Sequence, residues 1–75
     1  MVDKQKLKLA KLCEHWANHN NSHNESFAKW RDIAGEMQLK SVVEELNKAI
    51  ESMNKCNEHL LSVIDHLASS DEQVD

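Results

Sequence analysis

The sequence contains no proline, one glycine and few aromatic residues: two tryptophans, one phenylalanine and no tyrosine. Proline and glycine interrupt helices more strongly than any other residue, so their scarcity favours long helices. Three aromatic side chains are also too few for the core of a typical sheet. No apolar run reaches the roughly 20 residues that span a membrane, and lysines interrupt the amino-terminal leucines where a signal peptide stays apolar. These absences predict a soluble, all-α, cytoplasmic protein.

The charged residues argue against a nucleic-acid partner. The formal net charge is −4, with both signs present along the chain. No basic patch is dense enough to follow a phosphate backbone, and no aromatic residues accompany the lysines as stacking platforms. Neither nucleic acid nor a membrane is therefore expected as a partner.

Apolar residues recur at steps of three and four residues in both halves of the chain, the spacing of one face of a helix. The first stripe consists of Leu9, Leu12, Trp16, His19, His23, Phe27, Trp30, Ala34 and Met37. The second consists of Leu39, Val42, Val43, Leu46, Ile50, Met53, Asn57, Leu60, Leu61, Ile64 and Leu67. We predict one domain, residues 1–75: a helix over about 3–36, a turn over about 36–40, a helix over about 40–68 and an acidic tail over 69–75.

A rival interpretation breaks the first helix within Asn18–Ser22, because asparagine and serine are weak helix formers. Continuity is favoured, since the apolar stripe keeps its phase through this segment. An antiparallel hairpin that turns near residue 38 pairs residues whose numbers sum to about 76 or 77. Cys13 and Cys56 are then about 12 Å apart along the axis, too far for a disulfide. Two helices cannot hide all these apolar residues, so we predict a homodimer that forms a four-helix bundle.

The predicted interface contains a polar layer of His19, His23 and Asn57, with His15 one turn away and Glu58 at the same level. One interpretation is structural: the polar groups bond to one another and fix the helix register. The other is a metal site, because histidines four residues apart chelate divalent transition ions. His15, His19, His23 and Glu58 are then the candidate ligands, and Asn57 belongs to a structural polar layer.

More specific metal sites do not fit the sequence. Di-iron bundles use Glu-x-x-His pairs, and zinc fingers use closely spaced cysteine pairs; neither occurs here. A haem needs a cavity that this short chain has little core to provide. An enzyme is not expected, since the sequence shows no glycine-rich phosphate loop and no nucleophile with a positioned base.

The stretch from Glu14 to Trp30 resembles the pattern His-Trp-x-x-His-Asn-x-x-His-x-x-x-Phe-x-x-Trp of a small, uncharacterised helical-hairpin family from anaerobic bacteria and archaea. Similar proteins occur alone or beside small nickel-binding proteins linked to maturation of carbon monoxide dehydrogenase. The resemblance implies a metal-handling context, with a protein partner in that pathway, and carries over to His15, His19 and His23. The chain departs from the pattern in its asparagine-rich filler and in Gln38, where a turn glycine is expected.

The sequence thus predicts a non-enzymatic protein that binds nickel, cobalt or zinc through the histidines of its first helix. The alternative is a self-association or partner-binding module in which the histidines are a structural polar layer without a ligand. In that case their protonation on acidification opens the bundle.

Overall fold

The computed structural model describes residues 3–70, with only the backbone at Ser70. It consists of helix α1, Lys4–Glu36, and helix α2, Lys40–Ser70, packed side by side. The all-α hairpin predicted from the sequence is confirmed. Helix α2 extends two residues beyond the predicted end at 68, and the rest of the predicted acidic tail, 71–75, lies outside the described residues. Neither helix in this part of the chain is long and apolar enough to cross a membrane.

Helix α1 begins at a capped end and continues without interruption for 33 residues. The Asp3 side chain accepts hydrogen bonds from the backbone N–H groups of Gln5 and Lys6, at 2.9 and 3.4 Å. These bonds satisfy two of the free donors at the start of a helix. The segment Asn18–Ser22 is helical throughout, so the predicted continuity is confirmed.

The turn between the helices is a Schellman motif centred on Gln38. The Leu39 N–H donates to the Ala34 carbonyl and the Gln38 N–H to the Gly35 carbonyl, both at 3.0 Å. Gln38 has a φ of 61°, a left-handed conformation that glycine adopts with less strain than other residues. Helix α2 begins at Lys40, directly after this turn.

Polar contacts between the helices fix the register of the hairpin. Asn20 bonds to Asn57, Asn24 to Asn54 and Arg31 to Asn47. The numbers in each pair sum to 77 or 78, about one residue from the predicted register. The two cysteines are free, as expected from that register. Cys13 is buried, whereas Cys56 is exposed.

The face that α1 turns towards α2 differs from the predicted one. The most buried residues of α1 are small, Cys13, Ala17 and Ala34, at 2–5% exposure. The predicted interface residues Trp16 and Trp30 are 44% and 58% exposed. Since each residue advances about 100° around a helix, the predicted stripe lies roughly a quarter turn from the true interface. Small side chains let the helix axes approach closely, which bulky indole rings at the same positions would prevent.

We call the displaced set the outer stripe of α1: Leu9, Leu12, Trp16, His19, His23, Phe27 and Trp30. Leu12 and Phe27 are half-buried, and the other five are exposed. The hairpin therefore hides its small side chains and leaves its two largest rings in contact with water. A single hairpin leaves the outer stripe of α1 without a partner helix.

Candidate metal site in the first helix

The three candidate histidines of α1 form a row along the outer stripe, and all three are exposed. His19 and His23 are one helical turn apart, so their side chains meet on the same face. Their Nε2 atoms are 3.0 Å apart, and the ring planes are at 83° to each other. In this arrangement one imidazole donates a hydrogen bond and the other accepts it.

Rings on both sides hold this histidine pair in place. His15 stacks over His19 with a centroid separation of 6.3 Å and an interplanar angle of 21°. Phe27 stacks over His23 at 6.1 Å and 27°. These separations lie within the range of favourable aromatic contacts, and the four rings together restrict the rotamers of the central pair. The pair is therefore oriented before any ligand arrives.

Two imidazole nitrogens this close together can share an ion as well as a proton. An ion about 2.1 Å from each nitrogen, a normal distance for imidazole ligands, has an N–ion–N angle of about 90° at this separation. That is the angle between neighbouring ligands in octahedral and square-planar complexes, and the latter geometry is typical of Ni²⁺ and Cu²⁺. A tetrahedral zinc site needs the nitrogens a few tenths of an ångström further apart, which a small rotation of one ring supplies.

The predicted polar layer of histidines and Asn57 is wrong in its composition. The histidines lie on the outer stripe, about a quarter turn from the interface, and therefore do not face Asn57. Glu58 is exposed on α2. Within residues 3–70 no set of three or more histidine, cysteine, aspartate or glutamate side chains is grouped around a point that a metal ion could occupy. One chain thus brings together His19 and His23, with His15 stacked beside them, and leaves Glu58 apart.

A polar layer does exist between the helices, and it consists of asparagines. Asn57 is 8% exposed; its Oδ1 accepts from Asn20 Nδ2 at 3.0 Å, and its Nδ2 donates to Asn21 Oδ1 at 2.9 Å. Asn24 Nδ2 donates to Asn54 Oδ1 at 2.9 Å. We call these five asparagines the asparagine ladder. Any slip of one helix along the other separates the hydrogen-bonded pairs, so the ladder specifies the register.

Sequence reasoning missed the three asparagines that α1 contributes to this ladder. The missed signal was a second stripe, a quarter turn from the apolar one, with the spacing of the true interface: Ala10, Cys13, Ala17, Asn20, Asn24, Ala28 and Arg31. Ala34, which the predicted stripe already included, is also buried. The ladder is not fully satisfied, since Asn24 Oδ1 is buried without a hydrogen-bond partner.

The comparison with protein-family models identifies the family of this chain. Residues 9–67 match the model of a protein family described as a domain of unknown function, DUF8180. Comparisons with curated proteins and with solved structures found no match. The matched region includes the histidine row, the turn and most of both helices. Because it covers well over half of the chain, the protein belongs to the DUF8180 family.

Proposed function

We propose that this protein is a non-enzymatic, cytoplasmic homodimer that binds a divalent transition ion through His19 and His23, with His15 as a further ligand. The observation that carries the proposal is the 3.0 Å separation of the His19 and His23 Nε2 atoms. Both nitrogens are on an exposed surface, so an ion reaches them without any rearrangement of the hairpin.

Nickel is the ion that this geometry supports best, with cobalt and zinc as the other candidates. The angle of about 90° that follows from the distance between the two nitrogens suits a square-planar or octahedral ion. The resemblance of this segment to proteins found beside nickel-binding maturation factors supports the same choice and a protein partner in metal handling. Since the ion is held on an open helix surface with no enclosing cleft, the proposed role is binding and not catalysis.

The proposed dimer is supported by the outer stripe of α1. The described hairpin buries only three apolar residues, while eight large ones are 39–63% exposed. A small chain with so thin a core needs a further source of stability, and association is a common one. A second hairpin supplies the missing apolar contacts.

Calorimetric titration of the metal-free, untagged protein with Ni²⁺ tests the metal site. The His19→Ala/His23→Ala variant is compared with His59→Ala/His66→Ala, which removes the same number of exposed histidines from α2. We expect the first variant to weaken Ni²⁺ binding by at least about tenfold, because loss of a residue that merely hydrogen-bonds to a metal ligand already costs that much. The second variant should bind Ni²⁺ as the natural protein does. Equal weakening in both variants, or no binding by the natural protein, would show that the pair is not a metal site.

The alternative is a self-association or partner-binding module without a metal. It is favoured by the exposed rings of Trp16 and Trp30, which bind another surface whether or not an ion is present. In this version the hydrogen bond between His19 and His23 is the whole role of the pair. Dimerisation that is identical with and without Ni²⁺ favours this alternative.

A further inference from the structure

The outer stripe of α1 is continuous with a second apolar stripe on α2. On α2 the half-buried residues Leu46, Met53, Leu60 and Leu67 lie about 50° around the helix from the residues at the centre of its buried face, which are Val43, Ile50, Asn57 and Ile64. Each stripe is displaced from the hairpin interface in the same rotational sense about its own helix axis. Because the two helices are antiparallel, both stripes therefore lie on the same side of the hairpin. The contact of Asn20 with Cys56 at 3.8 Å lies along this side. We call the combined surface the apolar face.

An apolar face beside the hairpin interface is what a four-helix bundle requires. Each helix of such a bundle packs against two neighbours, and the directions to them are about 90° apart. One neighbour of each helix is already present in the hairpin. The face is about 32 Å long, from Leu9 to Trp30 at about 1.5 Å per residue, which is enough for several turns of packing. A second hairpin has the shape and the apolar surface to fill it.

We propose that a second copy of this chain covers the apolar face with its turn at the opposite end, so that the His19 and His23 pairs of both copies form one shared site. The shared coordination rests on the metal site proposed above. One chain offers two adjacent imidazoles, whereas a transition ion takes four or more ligands. A twofold axis midway between these histidines brings two more imidazoles to the same point.

The same axis gives apolar partners along the rest of α1. Two antiparallel helices related by an axis at residue 21 pair residues whose numbers sum to 42. Leu12 then lies opposite Trp30 of the second copy, and Leu9 opposite Ile33. In the hairpin register, residue 21 of α1 lies level with about residue 56 of α2, so the same twofold axis passes α2 at that level. Met53 then faces Leu60 of the second copy, and Leu46 faces Leu67. Apolar residues therefore meet on both sides of the histidines.

Charge favours this orientation over the one with both turns at the same end. The amino-terminal turns of α1 carry Lys4, Lys6, Lys8 and Lys11. The turn end of the hairpin carries four carboxylates and four basic side chains, so it has no net charge: Lys29, Arg31, Asp32, Glu36, Lys40, Glu44, Glu45 and Lys48. With the turns at opposite ends, the lysines of one copy lie against this neutral surface and not against one another. With the turns together, the lysines of both copies cluster, and the histidines sit on diagonally opposite helices, too far apart to share an ion.

Spin-label distance measurement at residue 38 tests the orientation. A nitroxide on Gln38→Cys, in a chain that also carries Cys13→Ala and Cys56→Ser, reports the separation of the two turns. We expect about 50 Å, twice the rise from residue 21 to residue 38. A separation of about 10–20 Å, the width of a bundle, means that both turns are at one end and overturns the proposal.

Sedimentation equilibrium tests the face, with Trp16→Gln and Leu7→Gln as a matched pair. The two residues are 44% and 52% exposed and lie on opposite sides of α1, nine residues apart. We expect Trp16→Gln to weaken the dimer by at least about tenfold, because a central aromatic anchor is lost, and Leu7→Gln to leave it intact. Circular dichroism checks that both remain helical. A natural chain that stays monomeric with and without Ni²⁺, or equal effects of the two changes, overturns the proposed interface.

The stoichiometry of Ni²⁺ binding separates this inference from the metal site on which it rests. A shared site binds one ion per two chains, and Ni²⁺ then strengthens the dimer, because an ion that binds only the dimer shifts the equilibrium towards it. One ion per chain, bound through His19 and His23 without any change in dimer affinity, rules out the shared site while the metal site stands. An antiparallel dimer that binds no Ni²⁺ rules out the metal site.

Discussion

Two faces of α1, a quarter turn apart, use opposite kinds of side chain. The face against α2 is made of small and amide residues, and its best-buried members are Cys13 and Ala17. The outer stripe carries both tryptophans and the histidine row. The contrast shows that the most hydrophobic stripe of a helix need not face its nearest neighbour in the chain. Close approach of the two helix axes requires small residues in the hairpin interface, and the bulky residues of the outer stripe are left exposed.

The strongest test of this contrast is a large side chain on the small-residue face. We expect Ala17→Phe to lower the free energy of unfolding by about 3 kcal/mol, because the added ring must force the two helices apart. Asn18→Phe adds the same ring at the next position, which is exposed, and is expected to change stability by no more than about 0.5 kcal/mol. Urea unfolding followed by circular dichroism measures both. Similar losses in the two variants would mean that Ala17 does not lie in a tightly packed interface.

The asparagine ladder gives the next largest effect. Asn57→Ala removes the partner of both Asn20 and Asn21, and we expect a loss of about 1–2 kcal/mol, since a buried amide pair is broken while its outer groups regain water. Asn47→Ala is the control, because Asn47 is exposed and its bond to Arg31 lies on the surface. Its expected cost is below about 0.5 kcal/mol in the same unfolding experiment. An equal cost at the two positions contradicts a buried, register-fixing role for Asn57.

The fold was predictable from the sequence because it depends on features that repeat along the chain. The apolar period runs unbroken through Asn18–Ser22, and with no proline to interrupt it, one long helix follows. The hairpin register followed from the turn position and the rise per residue, and was correct to about one residue. Both quantities are averages over many residues, so a single misjudged position changes them little.

The orientation of α1 about its own axis was not predictable in the same way. Hydrophobic periodicity shows that a stripe is apolar, but not which neighbour covers it. Here two stripes share the same period, and the one with Ala17 and Asn20 forms the hairpin interface. The histidines were correctly placed beside Trp16 and Phe27 on one stripe, yet that stripe is exposed. Asn57 is buried because it belongs to the interface of α2, whichever face α1 presents.

The turn offers a smaller effect of opposite sign. Gln38 adopts a φ of 61°, a conformation in which a Cβ atom crowds the backbone. Glycine has no Cβ and adopts this conformation without that strain. We expect Gln38→Gly to raise the free energy of unfolding by about 1 kcal/mol. Gln38→Ala keeps a Cβ and should give no such gain, which separates relief of backbone strain from loss of the glutamine side chain. Thermal unfolding of the three proteins measures the difference; a gain in the alanine variant equal to that in the glycine variant would rule out backbone strain as the cause.

Trp16 has one of the two largest side chains, yet its removal is expected to change the free energy of unfolding of a single hairpin the least. Trp16→Ala removes an indole that is 44% exposed, so at protein concentrations too low for association the free energy of unfolding should change by no more than about 0.5 kcal/mol. At a concentration a hundredfold higher the natural chain should gain stability by mass action, and the variant should not. Urea unfolding at the two concentrations provides the comparison. A loss of several kcal/mol on dilution would place Trp16 in the hairpin's own core, whereas equal concentration dependence in both chains would remove the tryptophan from the dimer interface.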